Sequence, residues 1–294
     1  MPARKMPTYE TGLEQLGDNL YAYLQWNGGW GISNAGFVDG GDGLLVIDAL
    51  MVPSMARSFV GAMREVSDAP FRQLVNTHSH ADHTNGNQFI EGAEIVAHEN
   101  CRSEMEQAAA AKAARAPGDR GPRPGWIQES WWEELAEVDP PLPTATFADD
   151  LTLTCGGTEV QLMHWGPAHT TGDVMLYFPE SKLLFAGDLA FFFATPLCRG
   201  NMANWVNIID RIDSDLDVER VIPGHGPIGG LTELADQREY MDFMITKTRT
   251  AYDDGLDEAA AAAAIDLGQW GTWPEAERKE MNIAQLYATF AAEG

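Results

Sequence analysis

The sequence predicts an α/β protein in which helices cover a sheet. Three observations predict it. Short apolar runs bounded by Gly, Asn, Asp and Pro recur between Leu20 and Ala186. Stretches with helical spacing lie between and after them. Hydrophobic residues make up 45% and charged residues 21% of the 294, the balance of a chain that buries a core.

The elements follow in order. Leu20–Gln25 alternates as a strand, Trp26-Asn27-Gly28-Gly29-Trp30 interrupts it, and Ile32–Val38 resumes the pattern. Gly40-Gly41-Asp42-Gly43 then reads as a hairpin tip, and Leu44-Leu45-Val46-Ile47-Asp48 as a buried strand ending on a carboxylate. Residues 52–66 have helical spacing, and Phe71–Asn76 is a strand running into Thr77-His78. Glu94–Ala97 is strand-like, and the Ala-rich stretch 101–115 is helical. A Pro/Gly/Arg loop, Pro117–Pro124, precedes Trp126, Trp131 and Trp132. Strands resume at Leu151–Thr154, Glu159–His164, Val174–Phe178 and Leu183–Ala186. Helices are expected near Trp205–Arg211, over Leu231–Thr250 and from Ala259 onward. The whole reads as one domain, 1–294, with a helical, Trp-rich insertion over about 100–143 and a helical tail over about 231–294.

Charge narrows the function. Nineteen basic residues face 44 acidic ones, a net charge of −25. Such a surface repels phosphate backbones and anionic lipid, so nucleic acid and membrane are not the expected partners. No apolar run reaches the length of a membrane span, and the first residues lead into no apolar signal core. The expectation is a cytoplasmic protein. Three widely spaced cysteines, Cys101, Cys155 and Cys198, indicate neither a disulfide framework nor a metal knuckle.

The chemistry is carried by His78-Ser79-His80-Ala81-Asp82-His83, directly after the apolar strand 71–76. A loop leaving a buried strand is held firmly at one end, so side chains two apart converge on one ion, and imidazole with carboxylate suits zinc and similar cations. One loop cannot close such a site. Three Gly-bounded segments downstream supply partners: His169 in Gly166–Gly172, Asp188 after Leu183–Gly187, and His225 in Pro223-Gly224-His225-Gly226. Together these give five histidines and two aspartates, enough for two metals sharing one carboxylate. His98 and His164 lie outside any such loop and read as structural, and Cys198 has no adjacent base to make it a nucleophile.

From about Asn19 to Gly230 this order of residues resembles the metallo-β-lactamase superfamily: Asp48, then His78/His80/Asp82/His83, His169, Asp188 and His225. The resemblance implies an αββα sandwich of two mixed sheets with the metals at one edge. It implies that His78, His80 and His169 hold one metal, that Asp82, His83 and His225 hold the other, and that Asp188 bridges them. Asp48 would fix the geometry of the first histidine loop. The implied cofactors are two divalent ions, zinc first, with manganese or iron as alternatives.

The implied chemistry is metal-assisted hydrolysis by a bridging hydroxide, with Asp82 orienting it and passing its proton to the leaving group. Asp188, and the Pro-Gly-His-Gly-Pro setting of His225, resemble glyoxalase-, lactonase- and thioesterase-like members more than true β-lactamases. The expected partner is therefore a small acyl substrate: an ester, thioester or lactone. Trp26, Trp30, Phe192 and Trp131 are the expected pocket walls, with Trp26–Trp30 as a hairpin flap. A β-lactam hydrolase on the same site remains open, as does a mononuclear iron oxidoreductase of the persulfide-dioxygenase kind, although His83 and His225 argue for two occupied positions. A non-catalytic binding protein would not need the complete ligand set. Apolar positions in the 231–294 tail serve either the core or a homo-oligomer interface.

Overall fold

Twelve strands in the computed structural model, which describes residues 4–116 and 118–293, sort into two sheets by their place in the chain. Met1–Ala3, Gly294 and Pro117, the first residue of the expected Pro/Gly/Arg loop, lie outside the described residues. Gly12–Gln15 (β1), Leu20–Leu24 (β2), Ala35–Asp39 (β3), Leu44–Ile47 (β4), Phe71–Val75 (β5), Glu94–His98 (β6) and Ala145–Phe147 (β7) lie side by side in that order. Leu151–Cys155 (β8), Thr158–Met163 (β9), Met175–Phe178 (β10), Leu183–Phe191 (β11) and Arg220–His225 (β12) form the second sheet, ordered β12-β11-β10-β9-β8. Both sheets are mixed. Pairing is antiparallel from β1 to β4 and parallel from β4 to β7, while in the second sheet only β11 and β12 run parallel.

Strand alternation makes the layers. Leu45 and Ile47 face the interior between the sheets, where they join Val38, Leu162, Leu176, Phe185 and Ile222. Leu44 and Val46, one residue out of phase, face the opposite side and pack with Phe59 and Met63 of the helix Pro53–Val66 (α1). The second sheet repeats the device: Leu176 and Phe178 point inward, Met175 and Tyr177 outward. The chain is thus a two-sheet sandwich flanked by helices. The other helices are Ala81–Thr84 (α2), Glu99–Ala113 (α3), Glu129–Glu134 (α4), Met202–Asp215 (α5), Leu231–Asp253 (α6), Glu258–Ala264 (α7) and Arg278–Glu293 (α8). Buried residues of α5, α6, α7 and α8 cover the outer face of the second sheet. No described helix is long and apolar enough to cross a membrane.

Several boundaries differ from the sequence reading, each for a local reason. The strand expected over 32–38 starts at Ala35, because Asn34 is turned away: its backbone N–H donates to Gly224 O at 2.7 Å and its side chain donates to Pro223 O and Gly226 O. β11 does not stop at Ala186 but continues through Asp188 to Phe191, paired with β12 through two register shifts. The edge strands β1 and β7 carry too few apolar residues to be seen in sequence. The tail is not one helix from Ala259: Gly268, in the left-handed region at φ 55°, and Pro274 separate α7 from α8. In the expected insertion, Ile127, Trp131, Trp132 and Leu135 pack onto Met51 and Val52, just beyond β4.

Candidate metal centre

Parallel strands end together, and the chemistry collects where they end. β4 delivers Asp48, β5 delivers the loop into α2 that carries His78 to His83, and β12 ends on His225. β11 brings Asp188 within the strand, and the turn after β9 brings His169. Two groups of ligand atoms result, each with its atoms within 4.8 Å of one another: His78, His80, His169 and Asp188, and beside them Asp82, His83 and His225. The Asp188 carboxylate reaches both. Its Oδ2 lies 3.1 Å from His169 Nε2, 3.6 Å from His78 Nε2 and 3.4 Å from His225 Nε2, and its Oδ1 lies 3.0 Å from His83 Nε2. Asp82 Oδ2 is 3.3 Å from His225 Nε2, and His80 Nδ1 is 2.8 Å from His169 Nε2.

The far side of most rings is already engaged. His169 Nδ1 lies 2.5 Å from Leu197 O, His225 Nδ1 lies 3.1 Å from Ile32 O, and His83 Nδ1 lies 2.7 Å from Asp48 Oδ2. In the neutral ring, a Nδ1–H donating outward leaves the Nε2 lone pair directed into the cluster, the usual way a protein prepares a ligand histidine. Asp48 also accepts from Thr77 N at 2.8 Å and Thr77 Oγ1 at 2.7 Å, so it ties the start of the histidine loop to its end. Glu104 of α3 adds a second tie, accepting from Ser79 Oγ at 2.5 Å and from Thr171 Oγ1 at 2.5 Å, between the two ligand-bearing loops. Close packing demands glycine at one point: a Cβ on Gly224 would stand 1.9 Å from Asp188 Oδ1.

Charge is divided between the groups. Burial lowers His80 to about 3, helped by His169, and burial with His83 holds His78 well below its ordinary value, so both are neutral ligands. Burial opposes protonation of His83 and His225 as well, but carboxylates outweigh it. Asp188 and Asp48 raise His83 well above its usual value, and Asp188 and Asp82 raise His225 to about 9. Burial also opposes ionisation of Asp82 and Asp188, yet the surrounding histidines keep both well below the usual carboxylate range. The residues fit divalent cations by a further criterion. His78 Nε2 is buried without a hydrogen-bond partner among the described residues, and His83 Nε2 and Asp188 Oδ1 have only each other, 3.0 Å apart. Polar atoms so poorly partnered at this depth are rare in proteins, and here they converge, as ligands awaiting an ion do.

Over the cluster opens a cavity of about 210 Å³. His80, Asp82, His169, Asp188 and His225 form its floor, and Trp30, Trp126, Met51, Phe191 and Leu197 its apolar sides. Trp30 and Trp126 stack with centroids 5.3 Å apart. Of the four aromatic side chains expected at the pocket, only Trp30 lines it. Trp26 is 55% exposed and outside the lining, Phe192 is buried in the core beneath Gly229, and Trp131 packs behind the lining on Met51 and Val52. Nor is the Trp26–Trp30 turn free of the body: Trp30 Nε1 donates to Glu277 at 3.0 Å and its N–H to Glu275 at 3.3 Å. His98 and His164 stack on each other at 3.7 Å, apart from both ligand groups, and His98 caps α3. Burial pushes the Cys198 thiol up to about 12, which suits packing rather than nucleophilic attack.

Sequence reasoning passed over Trp126, Arg199 and Arg278, which also line the cavity, and Glu104. Trp126 stood in the Trp-rich insertion and was the one with a visible signal. The other three read as ordinary charges on helices or turns.

A model of the metallo-beta-lactamase superfamily matches residues 28–225, more than half of the chain. The chain belongs to the metallo-β-lactamase superfamily. Among curated proteins, this superfamily member is 25% identical over 244 residues to a linear primary-alkylsulfatase of Pseudomonas sp. (strain ATCC 19151), covering 73% of this chain and 44% of that protein. It is 28% identical over 225 residues to the acyl-coenzyme A thioesterase MBLAC2 of Gallus gallus, covering 69% of this chain and 75% of that one. It is 22% identical over 250 residues to metallo-beta-lactamase type 2 of Bacteroides fragilis, covering 81% and 88%. All three names denote hydrolases. In fold it matches the sec-alkylsulfatase Pisa1 from Pseudomonas sp. with TM-score 0.69 at 20% identity, covering 95% of this chain and 50% of that one. It matches the metallo-beta-lactamase from Pontibacter korlensis with TM-score 0.61 at 19% identity, covering 79% and 99%. The chain therefore spans about half the length of the alkylsulfatases it matches.

Proposed function

We propose that this chain is a dinuclear metal-dependent hydrolase that cleaves an ester, thioester or lactone of a small, apolar acyl substrate. The observation that carries it is the convergence of two buried ligand groups on Asp188, whose carboxylate lies within 3.6 Å of His78, His83, His169 and His225. His78, His80 and His169 would hold one ion and Asp82, His83 and His225 the other, with Asp188 between. Divalent cations bound there, zinc by the nature of the donors, supply a Lewis acid and a water of near-neutral pKa. The chain's own residues do the rest. Asp82, ionised and on the cavity floor, accepts a proton at its carboxylate and returns it to the leaving group. Trp30, Trp126, Met51 and Leu197 take up the acyl group and keep water from the reacting carbonyl. Similarity to a protein named acyl-coenzyme A thioesterase, over 75% of that protein, supports the thioester arm. The net charge of −25 supports a small-molecule partner over nucleic acid or membrane.

Elemental analysis of freshly purified protein, joined to a screen of thioesters, lactones, carboxylic esters, sulfate esters and β-lactams, tests the proposal. About two zinc or manganese ions per chain and turnover of an acyl substrate are expected. About one iron per chain with oxygen consumption and no hydrolysis would overturn it in favour of a mononuclear oxidoreductase. Asp82→Asn is expected to keep its metal and lose roughly 10²–10⁴-fold in turnover, the range of a general acid–base group. Full activity in that variant refutes the proton-transfer role.

A further inference from the structure

Arg278 is a cation in a place where cations are rarely left unpaired. It opens α8, is 2% exposed, and lines the cavity together with Asp82, Asp188 and His225. Only one of its donors is engaged among the described residues: Nη1 donates to Thr195 O at 2.8 Å. Nε is buried with no partner, and the guanidinium forms no ion pair among the described residues. Its face is covered by the Trp30 ring, 4.0 Å from the centroid, so the group is held flat. Glu275 and Glu277, the carboxylates of its own turn, are turned to Trp30 instead. Asp82 and Asp188 share the cavity but belong to the ligand groups.

A buried charge in this condition is expensive: Glu275, Asp188, Asp82 and Glu277 act on it only across space, and burial outweighs them, so no hydrogen-bonded carboxylate replaces its lost hydration. A guanidinium donor so placed suits an oxyanion, because a charge-assisted hydrogen bond is stronger than a neutral one. With Nη1 on Thr195 O and Nε sealed in the protein, the donor left to receive a ligand is Nη2. Arg199, exposed on the same cavity, adds a second positive charge to a wall of a protein that is otherwise strongly acidic.

We infer that Arg278 is a specificity residue that receives a carboxylate of the substrate at Nη2, so that the substrate of this hydrolase is anionic away from its scissile bond. The inference rests on the hydrolase reading for the word substrate, but not for its test. Arg278 lies outside the 28–225 segment shared with the superfamily, on a helix whose position only the tertiary structure reveals.

Calorimetric titration of the metal-loaded protein with phenylacetate and its neutral isostere phenylacetamide tests it without any turnover. Wild type is expected to prefer the carboxylate by roughly tenfold or more, the range of a charge-assisted pair. Arg278→Met, of similar length and with metal content checked to be unchanged, is expected to lose about tenfold of that preference. Arg278→Lys, which keeps the charge but not the fork, is expected to fall between the two. A wild type without preference overturns the inference, as does a preference that survives intact in Arg278→Met, since the metals alone would then hold the anion. Should Arg278→Met not fold, an undiminished preference in Arg278→Lys overturns the role of the guanidinium. A protein that shows the predicted preference but hydrolyses nothing keeps this inference and loses the hydrolase proposal.

Discussion

Asp48 shows what a single residue contributes without entering the cavity. It occupies the left-handed region at φ 56°, where its carboxylate turns back to take Thr77 N–H, Thr77 Oγ1 and His83 Nδ1 together. Asn tolerates that backbone, so Asp48→Asn removes the charge with little strain. The variant is expected to fold, and to bind zinc about 10–100-fold more weakly in a chelator competition, as loss of a ligand's supporting partner does. Unchanged affinity would show that the loop holds itself. At this scale the seven proposed ligands were legible in sequence, because metal chemistry restricts the residue types and the Gly-bounded loops set their spacing. Arg278 was not. In Glu275-Ala276-Glu277-Arg278-Lys279-Glu280 it has the pattern of a solvated helix start, and its burial depends on Trp30, nearly 250 positions earlier.

Elements place these residues, and two contacts are exposed to test. α3 carries Glu104, whose two oxygens reach Ser79 in one ligand loop and Thr171 in the other. Glu104→Ala leaves both hydroxyls without that acceptor, and the expected result is weaker metal binding with the helix itself unchanged by circular dichroism. β12 approaches β11 so closely at Gly224 that a methyl group would overlap the Asp188 carboxylate. Gly224→Ala is expected to destabilise the fold by about 1–3 kcal/mol, the cost of overpacking, and to lower metal content, read by thermal melting and elemental analysis. A normal metal content would mean that Asp188 has room to move. The strands of this region were visible as apolar runs, but their ends were not. β11 runs five residues past Ala186 because parallel pairing with β12 carries it on, a long-range effect that local pattern does not contain. The tail failed in the opposite sense: alanines promise one long helix, while Gly268 and Pro274 break it and thereby bring Arg278 to the cavity.

The molecule as a whole is a negatively charged sandwich. Its two-sheet layering was implied by the family resemblance and not by local pattern, since β4 and β10 are apolar at every position, while its charge followed from simple counting. Subtracting 19 basic from 44 acidic residues leaves 25 carboxylates that no cation in the chain can balance. Several cations already serve in exposed pairs: Arg4 with Asp236 and Glu233, Lys182 with Asp217 and Glu219, Arg238 with Asp210 and Asp242. Exposed pairs are worth about 0–1 kcal/mol each, and salt weakens them. The same salt screens repulsion among the excess carboxylates, which acts over many more pairs, with a Debye length falling from about 30 Å at 0.01 M to about 3 Å at 1 M. Repulsion wins by number, so stability should rise with ionic strength. For a chain of this size each 1 kcal/mol moves the melting point by roughly 2–4 °C, which makes the difference readable by scanning calorimetry at 0.01 M and 1 M sodium chloride, with metal held constant. A higher melting point in high salt is expected. A lower one would mean that the ion pairs form networks strong enough to outweigh the net charge, and that the acidic surface is organised rather than merely solvated.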